Sequence, residues 1–264
     1  MIASGVVFAV FTKPWKTMPV PELARFVKGL GFDAVELPVR PGCQVPPDDV
    51  SQGLPRAAKE FGKHGVRIAS IAGPTDEVTM AACAEAGVPI IRVCVRFGSE
   101  PYLAGEANLQ RQYDELAPLL DKYGVTLGIQ NHCGRADVCN AMGLRHLIEK
   151  YDRKHIAAVW DAGHGGLCGE EPEAALDIVW SHLRMVNLKN AFWRRTTGPE
   201  AEWVQWRPYW TTGRQGLSPW PRVAAELKRR SYEGVVCLTA EYEDEHSVNR
   251  LIAEDIAFAR SLFA

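Results

Sequence analysis

Short apolar runs alternate with amphipathic stretches along the whole chain. SGVVFAVF (4–11) reads as a strand. ELARFVKGLG (22–31) sets Leu23, Phe26, Val27 and Leu30 on one helical face and ends on Gly31. The same strand-then-helix alternation continues through FDAVELP (32–38), PRAAKEFGKHG (55–65), VRIASIAG (66–73), TMAACAEAG (79–87), VPIIRVCV (88–95), LQRQYDELAPLLDKYG (109–124) and VTLGIQ (125–130). The second half follows suit with GLRHLIEKY (143–151), HIAAVWD (155–161), EPEAALDIVWSH (171–182), LRMVNLK (183–189), WPRVAAELKRRSYEG (220–234), VVCLTAEY (235–242) and HSVNRLIAEDIAFARSLF (246–263). That makes eight strand–helix units. The strands are nearly continuous apolar runs, as buried parallel strands are. Eight such units predict a single α/β domain over 1–264, a (β/α)8 TIM barrel.

In a barrel the functional groups sit at the C-terminal ends of the strands. Polar residues gather there: Glu36; Gln130, Asn131 and His132; Asp161 and His164; Asn187 and Lys189; Glu241. A polar group closing an apolar strand costs desolvation unless it binds something. Asn187 and Lys189 are two apart on one strand, so they face the same side.

One connection breaks the rhythm. Residues 190–219 form an insert holding Trp193, Trp203, Trp206 and Trp210 with Arg194, Arg195, Arg207 and Arg214. Loops of this length are functional or disordered, and the tryptophans argue against disorder. The insert leaves the C-terminal face, so it is expected to cover the mouth as a lid, offering Trp193 and Arg214 to a substrate. A subunit interface is the competing use of the same residues.

Composition narrows the partners. The chain has 264 residues, 47% of them hydrophobic, and a net charge of −2. This gives no case for a nucleic-acid or membrane surface. The apolar N-terminal stretch lacks a basic segment ahead of it and reads as the first strand rather than a leader. The seven cysteines are scattered without a Cys-x-x-Cys pair, which points to reduced thiols and a cytoplasmic setting.

Taken together and in order, GFDAVEL, GVTLGIQNH, AAVWDAGH, RMVNLKN and GVVCLTAEY resemble the xylose isomerase-like TIM-barrel superfamily. This superfamily holds sugar and sugar-phosphate isomerases and epimerases, with abasic-site endonucleases as a distant branch. The resemblance spans essentially the whole chain. It implies a carbohydrate-like small-molecule substrate, a homo-oligomer and a metal site built from strands five to eight. Asp161 and Glu241 match the family's metal-binding aspartate and glutamate, and His164 and Lys189 match their motifs. Gln130 stands where the family has glutamate, Asn187 where it has histidine, and Asn190 where it has aspartate.

Those departures change the chemistry. A glutamine cannot accept a proton at neutral pH, so two-carboxylate epimerisation is not available. What the resemblance leaves is one-base proton transfer next to a carbonyl, with Glu241 as base and His164 or Lys189 as partner. The tentative metal set, Gln130, Asp161, Asn187 and Glu241, is all oxygen. It suits Mg²⁺ or Mn²⁺ over Zn²⁺, and the other possibility is a site with no metal, in which Lys189 balances the two acids. Glu36, Gln130, His132 and Asn187 are expected to contact substrate. Glu36 and His132 have bland alternatives, a rim salt bridge and a supporting histidine. The glycines of TGRQG (212–216) suggest a phosphate loop, or a plain turn. The reading from another class is a carbohydrate-binding or regulatory barrel that has lost the chemistry.

Overall fold

A computed structural model describes residues 5–97, 99–134 and 138–264. Eight parallel strands close into a barrel: β1 (Val7–Phe11), β2 (Ala34–Pro38), β3 (Arg67–Ala72), β4 (Ile90–Cys94), β5 (Thr126–Gln130), β6 (Ile156–Asp161), β7 (Leu183–Leu188) and, after an excursion, β10 (Val235–Leu238), which pairs with β1. The helices form the outer ring: α1 (Val20–Gly29), α2 (Val50–Lys63), α3 (Glu77–Ala86), α4 (Tyr102–Tyr123), α5 (Ala141–Ile148), a short α6 (Ala162–Leu167), α7 (Pro172–Val179), α8 (Trp220–Arg229) and α9 (Val248–Phe263). Among the described residues no helix is long and apolar enough to cross a membrane.

Two departures from the sequence reading matter. The helix expected from residue 109 starts at Tyr102 and runs unbroken past Pro118 to Tyr123. The insert is an antiparallel hairpin, β8 (Asn190–Arg195) and β9 (Trp206–Thr211), that stays outside the barrel sheet. Alternation sends Trp193, Trp206 and Trp210 to one face and Phe192, Arg194 and Tyr209 to the other. The first face lies against α6, where Trp193 Nε1 donates to the Leu167 carbonyl (2.9 Å). Its other edge joins the chain beyond β10 through Glu243 N–H and the Trp210 carbonyl (3.0 Å).

Period-two alternation also fills the lumen. Ala9, Phe11, Ala34, Ile90, Val159, Met185, Val235 and Cys237 pack there as an apolar plug. Gly128 makes room for it, since a Cβ at that position would sit 2.7 Å from the Val159 side chain. Glu36, Arg92, Gln130, Asp161 and Asn187 follow at the C-terminal ends of their strands, so the plug floors a polar crown.

Candidate functional site

On the β2–β4 side the crown is a closed ion pair. Glu36 is fully buried and accepts two hydrogen bonds from Arg92, at 3.0 Å from Nε and 2.7 Å from the terminal nitrogen. Ser70 Oγ adds a third donor at 3.2 Å, and the guanidinium lies 4.9 Å above the Phe11 ring. This geometry saturates the carboxylate, as a buried charge requires. The ion pair weighed for Glu36 is present in the structure, with Arg92 as its partner.

On the β5–β7 side the centre is Asp161. It ends β6 and caps α6, with Oδ1 accepting from the His164 N–H at 3.0 Å. Both amides of the sequence reading converge on its other oxygen: Gln130 Nε2 donates at 2.9 Å and Asn187 Nδ2 at 3.4 Å. Asn131 locks the Asp161 backbone from both sides, accepting from its N–H (2.7 Å) and donating to its carbonyl (3.1 Å). Spending both amide nitrogens on one carboxylate oxygen leaves Gln130 Oε1 and Asn187 Oδ1 buried without partners. Each such group costs about 1–3 kcal/mol. Burial pushes the Asp161 carboxyl up to about 6, against the pull of Lys189.

The histidines sit beside this group. His132 and His164 lie side by side, tilted 32° with ring centres 3.9 Å apart, and Trp210 and His164 meet edge to face with ring centres 5.0 Å apart. Burial lowers both imidazoles below their ordinary range, His164 strongly, so both are neutral at neutral pH.

On the β7–β10 side the charges are explicit. Glu241 accepts from Lys189 Nζ at 2.7 Å and from Lys13 Nζ at 2.6 Å. Burial raises the carboxyl, but the two ammonium groups outweigh it and hold the carboxyl near 2. Lys189 Nζ also lies 3.7 Å from the Trp210 ring centre. Two backbone features aim this group. Gly163 lets α6 approach the β7 end, where a Cβ would sit 2.9 Å from the Lys189 carbonyl. Ala240 takes the left-handed conformation (φ 52°) just before Glu241, a strained turn for a residue with a Cβ. A cavity of about 480 Å³ opens here, bordered by Lys13, Lys16, Trp210, Glu241, Tyr242 and Glu245.

The family model for xylose isomerase-like TIM barrels matches residues 24–262. The chain belongs to that family. Solved structures agree on the fold. A D-psicose 3-epimerase from Clostridium cellulolyticum H10 superposes with a TM-score of 0.75 at 12% identity, covering 97% of this chain and 99% of that one. A 3-keto-D-glucoside 4-epimerase from E. coli gives 0.72 at 13% identity (97% and 99%). A probable 3-DHS dehydratase from Bacillus anthracis gives 0.74 at 11% identity (96% and 98%). No curated protein matches the chain.

Within this xylose isomerase-like barrel, the four positions expected around a metal do not fit a divalent ion as arranged. Gln130 and Asn187 turn their nitrogens, not their carbonyls, toward Asp161. Both Glu241 oxygens already face ammonium groups. Among the described residues no three His, Cys, Asp or Glu side chains are grouped to hold a metal ion.

The remaining expectations divide. His132, His164, Gln130, Asn187, Asp161, Lys189 and Glu241 come together at the mouth, linked in one chain of contacts. Glu241, expected as the base, pairs with two lysines. Trp193 stands at the rim, 40% exposed and tied to α6. Arg214 places its guanidinium 3.7 Å from the Phe258 ring centre on α9. The TGRQG stretch is a turn: the Gly213 N–H goes to Asp255 (3.0 Å), and Asn190 clasps the Gly213 and Ser218 carbonyls (3.0 and 2.8 Å). Sequence reasoning passed over Arg92, Lys13 and Cys133, and named Trp210 only as part of the insert. A lone arginine inside the apolar run VPIIRVCV was the available signal for the first.

Proposed function

We propose that this chain is an isomerase- or epimerase-type enzyme that moves a proton next to the carbonyl of a sugar or sugar derivative without a divalent ion. The observation that carries this reading is the Lys189 ammonium, held between Glu241 and Trp210 beside the Asp161 and His164 group. Removing a proton next to a carbonyl puts negative charge on the carbonyl oxygen. A fixed positive group in a sheltered site stabilises that charge without reorganising. Lys189 supplies the charge, and Glu241 and Lys13 keep it in place. Trp210 offers the flat apolar face that a sugar ring or chain packs against.

Glu241 near 2 is too weak a base for this step, because its lone pairs already face two cations. Its part is to position Lys189. Asp161 orients the α6 turn that carries His164 and orders the two amides around itself.

The test is proton exchange. Incubation with a panel of ketoses in D₂O, followed by proton NMR, should show loss of the hydrogen next to the carbonyl for at least one sugar. Lys189→Met should slow that exchange by more than about 100-fold. Binding of sugars without exchange for any of them would favour a carbohydrate-binding barrel that has lost its chemistry.

A further inference from the structure

The N-terminal end of the barrel, opposite the mouth, carries a polar cavity of about 230 Å³. Three strand entrances build it. Arg153 lies in the turn before β6, Arg184 is the second residue of β7, and Ser231, Tyr232 and Glu233 lead into β10. These strands are neighbours in the closed sheet, which brings the three segments together. Trp180 and Tyr232 form the aromatic wall, with ring centres 6.1 Å apart, and Tyr232 is fixed by donating to the Val235 carbonyl at 3.0 Å. The Arg153 and Arg184 guanidiniums have no carboxylate partner among the described residues, although both line the cavity. A third guanidinium, Arg230 over the Trp180 ring, is already paired with Asp177 and Glu226. Burial pushes the Tyr232 hydroxyl up while Arg184 and Arg153 both pull it down, so both positive charges reach this wall. Glu233 is the acid on the border, and the two guanidiniums outnumber it. Ser231 follows α8 in the left-handed conformation (φ 52°), where glycine is the usual residue. The serine carries that strain and keeps a hydroxyl at the cavity, where it makes no hydrogen bond among the described residues.

We infer that this cavity binds the phosphate group of a small phosphate monoester, at a site separate from the barrel mouth. Asp161 and Asn187 lie toward the far ends of β6 and β7, so the two sites are divided by the length of the barrel. Arginines from different segments present their donors from different directions. A carboxylate is satisfied along one edge by a single guanidinium. A phosphate monoester has three terminal oxygens and nearly two charges, which engage both arginines and the Ser231 hydroxyl together. The aromatic wall takes the carbon part of the ester. The volume falls below the range of drug-sized pockets, which restricts the occupant to a small molecule. The site stands whatever chemistry the mouth performs.

Calorimetric titration of the full chain with phenyl phosphate in low-salt buffer is the test. The expected result is a single site with a Kd of about 1 mM or tighter. Arg153→Ala and Arg184→Ala, both at exposed positions, should each weaken binding by about 10-fold or more while leaving the urea midpoint unchanged. Lys189→Met, at the mouth, should leave phenyl phosphate binding unchanged. Ser231→Gly should raise the thermal midpoint yet weaken binding, separating the hydroxyl from the fold. Inorganic phosphate should compete, and benzoate, the carboxylate counterpart, should bind at least about 10-fold more weakly. No binding by the wild-type chain, or binding that survives both arginine substitutions, overturns the inference. Loss of binding in Lys189→Met alone would put the anion at the mouth and overturns it as well. Equal affinity for phenyl phosphate and benzoate would reduce the cavity to a patch of surface charge, which also refutes a phosphate site.

Discussion

The two sides of the barrel mouth handle buried carboxylates in opposite ways. On the β2–β4 side, Glu36 is matched by Arg92 and Ser70, with both of its oxygens engaged by donors. On the β5–β10 side, Asp161 is held by backbone and amides with two carbonyl oxygens left over, while Glu241 is overmatched by two lysines. The first arrangement is what a fold needs. The second keeps a lifted carboxyl near 6, a depressed one near 2 and an ammonium in one small region. Groups driven apart in this way make this side the candidate for chemistry.

Arg92→Met should break the quiet side most severely. It strands Glu36 in the lumen and should cost about 3–5 kcal/mol in urea denaturation. A loss below about 1 kcal/mol would mean that the pair is not structural.

The pH dependence separates the sides next. Asp161 is raised in the folded state from 3.8 to about 6, so it is a liability once ionised. Its contribution is absent below the unfolded value, grows as pH rises through that window and levels off above it, at about 3 kcal/mol. Asp161→Asn should remove that loss, so the variant gains stability over the parent as pH rises and matches it in acid. Asp255 is raised over the same window, so the difference between the two proteins is the quantity to measure.

Lys189→Met leaves Glu241 with Lys13 alone. Because Glu241 is a quarter exposed and keeps one partner, the expected cost is about 1–2 kcal/mol, discounted for solvent screening. Its effect on exchange should be far larger than that. The smallest change is Ala240→Gly, which relieves the left-handed backbone and should raise stability by about 1 kcal/mol in thermal unfolding.

The barrel itself was legible because burial on both faces writes itself into a strand as a continuous apolar run. The strand ends were legible for the same reason: Gln130, Asp161, Asn187 and Glu241 interrupt those runs. What could not be read was partnership. Arg92 reaches Glu36 across 56 residues, and Lys13 reaches Glu241 across 228. The first follows from the pairing of β2, β3 and β4 and the second from barrel closure, and no local pattern encodes either. The hairpin hid for another reason: its strands are rich in exposed Trp and Arg and lack the buried-strand signature.

The central claim is that Lys189 supplies the positive charge of this site and that no divalent ion is needed. Titrating metal-stripped protein with Mn²⁺ by calorimetry tests it directly. The account predicts no specific binding in the wild-type protein, and appearance of a site only when Gln130→Glu and Asn187→His are combined. Stoichiometric Mn²⁺ binding by the wild-type chain, abolished by Asp161→Asn, would contradict it.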